Sequence, residues 1–198
     1  MFYNVFSDNK WRLPENQYDL NSESVPFPDN DEQLLKLANK RVHLRGHFDH
    51  SKEIFLIHKN VNSLQDFSTN TYCSGYHLLT PFVLKDSGRR IMVNRGWISE
   101  RRKDPSKRTL TLLEGEVEFD AFVALKERFS SPNILNFFTN APNVISRLDF
   151  AELKRKMNID PIAMFIADNE NTFLNSILIS GQLEEYVSYR AFTKPFVL

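Results

Sequence analysis

Three histidines, His43, His47 and His50, fall within eight residues, with His58 close behind and His77 further along. Imidazole is a good ligand for zinc, copper and haem iron, so the cluster is the first place to look for chemistry. On a strand, positions 43 and 47 face one side and position 50 the other unless the chain bends. No cysteine and no tightly spaced carboxylate accompanies them, so the pattern favours satisfied strand and turn histidines over a metal site, and no metal is expected. Cys73 is the single cysteine, and it can form neither an internal disulfide nor a zinc site alone. His77 follows it by four residues, a spacing that rarely aligns a thiolate with a base on strand and loop; a cysteine hydrolase is therefore the weakest reading. There is no Gly-x-Ser-x-Gly elbow and no glycine-rich phosphate loop, and the chain has only six glycines. A binding or assembly module is expected rather than an enzyme.

Basic residues gather at Arg89, Arg90, Arg95, Arg101, Arg102, Lys103, Lys107 and Arg108. They could face lipid headgroups, propionates or an acidic partner, or simply form a solvated loop. Over the whole chain, 25 Lys and Arg balance 25 Asp and Glu, so no long-range field draws in nucleic acid, and no nucleic-acid partner is expected. Within the cluster, Asn94-Arg95-Gly96-Trp97 stands apart. Gly96 permits a bulge or close packing, and Arg95 could grip a carboxylate with two bonds. The tetrapeptide reads equally as a locked sheet corner or a ligand site.

The elements that would position these residues are mostly strands. Residues 10–30 read as an extended arm, because Pro14, Pro26 and Pro28 oppose ladder bonding. Asp29 and Glu32 suggest a capping box for a short helix over about 30–40. Arg41 to Gly46 alternates as a strand, and Ile54 to Ile57 is expected to return as its hairpin partner. Gly75–Leu84 is a strand carrying Pro81, expected at a bulge or a sheet edge. Asp86-Ser87-Gly88 turns the chain into a partner strand over Ile91–Ile98. Val117, Phe119, Ala121, Val123 and Leu125 alternate along another strand. Asp149 caps a helix to about Asn158, and Ile162–Ala167 is the last strand. Seventeen phenylalanines promise a full core. No run of about 18 apolar residues could cross a bilayer, and the first ten residues lack signal-peptide character. The fold class is α+β: a mainly antiparallel sheet or partly closed barrel with two short helices. The expected organisation is an arm at 1–28, one β-rich domain at 29–180, and a tail at 181–198.

The text of several segments adds a resemblance. Gly46-His47-Phe48-Asp49, Gly75-Tyr76-His77-Leu78-Leu79-Thr80-Pro81-Phe82 and Asn94-Arg95-Gly96-Trp97 are the most specific. Lys10-Trp11-Arg12-Leu13, Val25-Pro26-Phe27-Pro28, Gly115-Glu116-Val117 and Gly181-Gln182 support them. Together they resemble the surfeit locus protein 1 family, the Shy proteins of fungi, over about residues 10–190. The resemblance implies a non-enzymatic assembly factor for cytochrome c oxidase, held at the mitochondrial inner membrane with its domain facing the intermembrane space. It implies partners in oxidase subunit one or its assembly intermediates and the inner membrane surface. It admits haem a as a cofactor, although none is established. The family-motif residues carried over are Gly46, Phe48, Asp49, Gly75, Thr80, Pro81, Phe82, Asn94, Arg95, Gly96 and Trp97. An alternative reading is a haem-carrying chaperone with His43, His47, His50 or His77 as ligand; another is a β module that binds an anion and has no link to respiration. The tail at 181–198 stands where that family has its second membrane helix.

Overall fold

A computed structural model describes residues 18–57, 65–66, 71–72, 75–125, 143–145, 148–159 and 163–168. In chain order the elements are β1 (Val25–Pro26), α1 (Asp31–Lys36), β2 (Arg41–Phe48), β3 (Ile54–Ile57), β4 (Gln65–Asp66), β5 (Thr71–Tyr72), β6 (Gly75–Leu84), β7 (Arg90–Ser99), β8 (Val117–Leu125), β9 (Val144–Ile145), α2 (Phe150–Met157) and β10 (Ala163–Ala167). Short 3₁₀ turns follow β2 at His50–Lys52 and occupy much of the stretch between β7 and β8. The expected α+β class holds: a partly closed barrel with two short helices.

The barrel has five strands in the order β2-β8-β10-β7-β6, closed by β6 pairing back onto β2. An odd number of strands cannot close with antiparallel pairs alone. The required parallel seam lies between β7 and β10, while β10–β8, β8–β2, β2–β6 and β6–β7 are antiparallel. β1 extends the sheet beyond β2, and β3 and β9 extend it beyond β6. Pro26 lies in β1 at the outer edge of that sheet, where a missing N–H breaks no ladder.

Alternation along β2 places Val42, Leu44 and Phe48 inside, with His43, Arg45 and His47 outside. Phe82, Val93, Phe119, Val123 and Phe165 fill the barrel from the other strands, and Leu34 of α1 packs into the same cluster. Asn30 caps α1, its Oδ1 accepting the Gln33 N–H at 2.9 Å, so the cap falls one residue beyond Asp29. α2 lays Leu153, Phe150 and Met157 over the other face of the sheet, against Leu79, Met92 and Met164. Asp149 accepts the Ala151 N–H at 2.9 Å, and Asn158 ends the helix at φ 53°.

Two expectations change. β2 and β3 do not form a hairpin; both pair with β6 instead. Pro81 is neither at a bulge nor on an edge strand. It sits where β6 changes partner, between Leu79, paired with Ile54 of β3, and Phe82, paired with Phe48 of β2. No N–H is needed at that gap, and the Pro81 carbonyl accepts the Asp49 N–H at 2.9 Å. The bulge lies a few residues earlier, where Arg95 and Gly96 of β7 stand opposite Leu78 alone.

Candidate functional site

The bulge is built by its own residues. Asn94 Oδ1 accepts the Gly96 N–H at 2.9 Å, and Gly96 takes φ 97°, a left-handed conformation open to glycine. The extra residue leaves both Asn94 and Arg95 buried. Gly96→Ala should therefore cost about 1–2 kcal/mol, read as a lower urea midpoint at unchanged m.

Arg95 points toward Glu53, which lies between the 3₁₀ turn and β3. Glu53 gathers four donors. Arg108 Nη1 donates to Oε1 at 3.2 Å and Nη2 to Oε2. Arg95 Nη1 reaches Oε1 at 3.5 Å, the Thr80 hydroxyl at 3.4 Å, and His50 Nδ1 at 3.0 Å. Both guanidinium side chains are 0% exposed and that of Glu53 is 5%. Burial pushes the Glu53 carboxyl up; hydrogen bonds from His50 and Arg108 and the charges of Arg108 and Arg95 outweigh it and hold the group below its ordinary value. The two-bond grip foreseen for Arg95 thus belongs to Arg108. Arg95 divides its bonds between Glu53 and the Thr111 carbonyl, and its guanidinium lies 4.6 Å from the Phe48 ring centroid.

This knot ties the 100–113 loop to the barrel. Arg108 Nε donates to the Arg102 carbonyl at 2.9 Å, the Thr111 hydroxyl to the Arg108 carbonyl at 2.9 Å, and His50 Nε2 lies 3.0 Å from the Leu113 carbonyl. The basic cluster is consequently not one anion-facing patch. Arg95 and Arg108 point inward. Arg89 pairs with Asp31, Arg90 with Asp49, and Lys103 Nζ lies 5.3 Å from the Tyr76 ring centroid.

Most of the motif residues gather at this end of the barrel. Phe48 and Phe82 meet edge to face at 4.8 Å, and both pack on Phe119. Thr80 reaches Glu53, and Pro81 bonds Asp49. Asp49 also accepts the Ser51 hydroxyl and pairs with Lys52 and Arg90; these bonds, led by Ser51, keep its carboxyl below the usual range. Gly75 pairs with Ser99 at the far end of the hairpin. Gly46 stands at the seam where β2 leaves β8 for β6. For Trp97 the backbone pairing with His77 is described.

The four candidate haem histidines are scattered. His43 lies outside the barrel between Asp120 at 3.0 Å and Glu118 at 3.7 Å. His47 lies outside, beside a pocket of about 360 Å³ lined in part by Lys85 and Glu116. His50 is engaged by Glu53 and Leu113, and His77 is buried in β6. That volume is near the small end for ligand sites, about 300–1,000 Å³. Among the described residues nothing converges on an iron, and no group of three metal-binding side chains exists. Cys73 and His58 lie outside the described residues. Sequence reasoning missed Glu53 as a centre; its one signal is a carboxylate directly before the apolar run Ile54–Ile57.

A SURF1 family profile matches residues 8–190, nearly the whole chain. The chain belongs to the SURF1 family. Surfeit locus protein 1 of Homo sapiens is 34% identical over 140 residues, covering 62% of this chain and 46% of that protein. Its Mus musculus counterpart is 33% identical over 126 residues, 60% and 41% of the two chains. Cytochrome oxidase assembly protein SHY1 of Saccharomyces cerevisiae is 32% identical over 93 residues, 46% and 22%. The chain spans less than half the length of these relatives. Of the segments named for the resemblance, Gly46–Asp49, Thr80–Phe82 and Asn94–Gly96 lie at the closing seam, the ionic knot and the bulge. Among the described residues, no helix is long and apolar enough to cross a membrane.

Proposed function

We propose that this chain is a non-enzymatic assembly factor for cytochrome c oxidase, acting at the mitochondrial inner membrane from the intermembrane-space side. In this reading it binds oxidase subunit one, or an intermediate containing it, around the stage of haem a insertion. Family membership over residues 8–190 carries the reading, together with the oxidase-assembly name of the yeast relative. The charged groups gathered at the motif segments are engaged in holding the barrel and its loop together, which gives those segments a structural part in this reading. The histidines favour contact with a protein partner over carriage of the haem, because they face different ways.

The deciding experiment disrupts the gene for this chain and measures oxidase activity, assembled oxidase and haem a. Loss of assembled oxidase, with subunit one stalled in early intermediates, is the expected result. Normal oxidase and normal haem a overturn the proposal. Adding haem to the purified protein separates the two modes of action: a Soret shift abolished by a His→Ala change at position 43, 47, 50 or 77 would favour the haem carrier.

A further inference from the structure

His50 makes two contacts that a neutral imidazole cannot make together. Nδ1 lies 3.0 Å from Glu53 Oε1, and Nε2 lies 3.0 Å from the Leu113 carbonyl oxygen. Both partners are acceptors, and a neutral ring carries one N–H. A protonated Glu53 would resolve the conflict, but Arg108 and Arg95 keep that group a carboxylate. The geometry therefore calls for the imidazolium.

The two bonds connect separate parts of the protein. One end is the 3₁₀ turn after β2, and the other is the end of the 100–113 loop. The loop between carries Leu110, about half exposed. Several charges surround the ring. Glu53 and, on the same turn, Asp49 favour the imidazolium. Arg95 of β7 and Arg108 of the loop lie across Glu53 and oppose it, as do Lys52 and Arg90, which are both engaged with Asp49. β6 contributes the uncharged Thr80 hydroxyl.

We propose that His50 is a proton-operated latch on the 100–113 loop. Protonated, it clasps Glu53 to Leu113. On losing its proton it gives up one of the two bonds, and the loop loosens. The loop surface around Leu110 is then presented differently in the protonated and the neutral state.

Amide hydrogen exchange tests this on the purified protein. The reporters are Lys107, Arg108, Thr111 and Leu112, whose N–H groups bond within the loop. After correction for intrinsic exchange, their protection should fall about fivefold between roughly pH 5 and pH 8, the worth of one hydrogen bond. The β2–β8 ladder amides should hold constant over that range, and His50→Gln should abolish the loop's pH response. Protection that is independent of pH in the unaltered protein, or a response that persists in His50→Gln, overturns the latch. ¹⁵N NMR of the His50 ring gives a second reading that needs no variant. Two protonated nitrogens at about pH 5 are expected; one bare nitrogen there refutes the proposal.

Discussion

Glu53→Gln should destabilise the protein by about 3–5 kcal/mol, the usual consequence of removing one member of a buried ion pair. The amide keeps the shape and one acceptor but leaves Arg95 and Arg108, both fully buried, without their shared counter-charge. Folding stabilities are about 5–15 kcal/mol, so the loss is a large share of the total. Urea unfolding checks it as a fall in midpoint. The pH dependence is a second signature. The folded Glu53 carboxyl is held below its ordinary value. Its contribution is fully present above the ordinary glutamate range, near pH 4.3, and disappears as the pH falls through the lower folded value. Glu53→Gln should flatten that acid limb. Replacing Glu53, Arg95 and Arg108 together by apolar residues of similar size should recover much of the lost stability, because the two buried guanidiniums leave along with their counter-charge.

Gly46→Ala should be nearly as damaging, at about 3 kcal/mol or more. A Cβ at this position would collide with the Val83 carbonyl oxygen and lie 2.9 Å from its carbon and 3.0 Å from Phe82 Cε1. The obstacle is backbone, which cannot swing aside as a flexible side chain does. β2 and β6 would have to separate at Gly46, where the barrel closes. Thermal unfolding should show the loss. Gly88→Ala is the useful contrast: its added Cβ meets nothing within 4 Å, so only the cost of its φ of 65° applies, about 1–2 kcal/mol.

The 75–99 hairpin was legible because its information is local: a glycine turn between two apolar runs. The outward and inward faces of β2 and β8 were legible for the same reason, since period-two alternation needs no partner to be named. Pro81 was misplaced because a sequence shows that an N–H is missing without showing which neighbour faces it. The expected pairing of β2 with β3 failed similarly: Asp49-His50-Ser51-Lys52 has turn chemistry, yet partner choice was decided by strands much later in the chain. The ionic knot was the least visible part. Glu53 and Arg108 are 55 residues apart, and nothing at either position announces the other. Arg108 looked like one more cation in a basic loop, whereas burial turns it into the pivot of that loop.

The closure of β2 onto β8 also sets an order in time. His43 and Asp120, which meet across that pair, are 77 residues apart, and Arg41 bonds Asp168 after 127. At about 5–20 residues per second of synthesis, β2 waits roughly 4–15 s for its main partner to leave the ribosome. The edge of β2 that β8 will cover stays open for that interval, the state in which strands pair with the wrong neighbour. A protein proposed to escort an unfinished enzyme would thus begin its own existence in need of an escort.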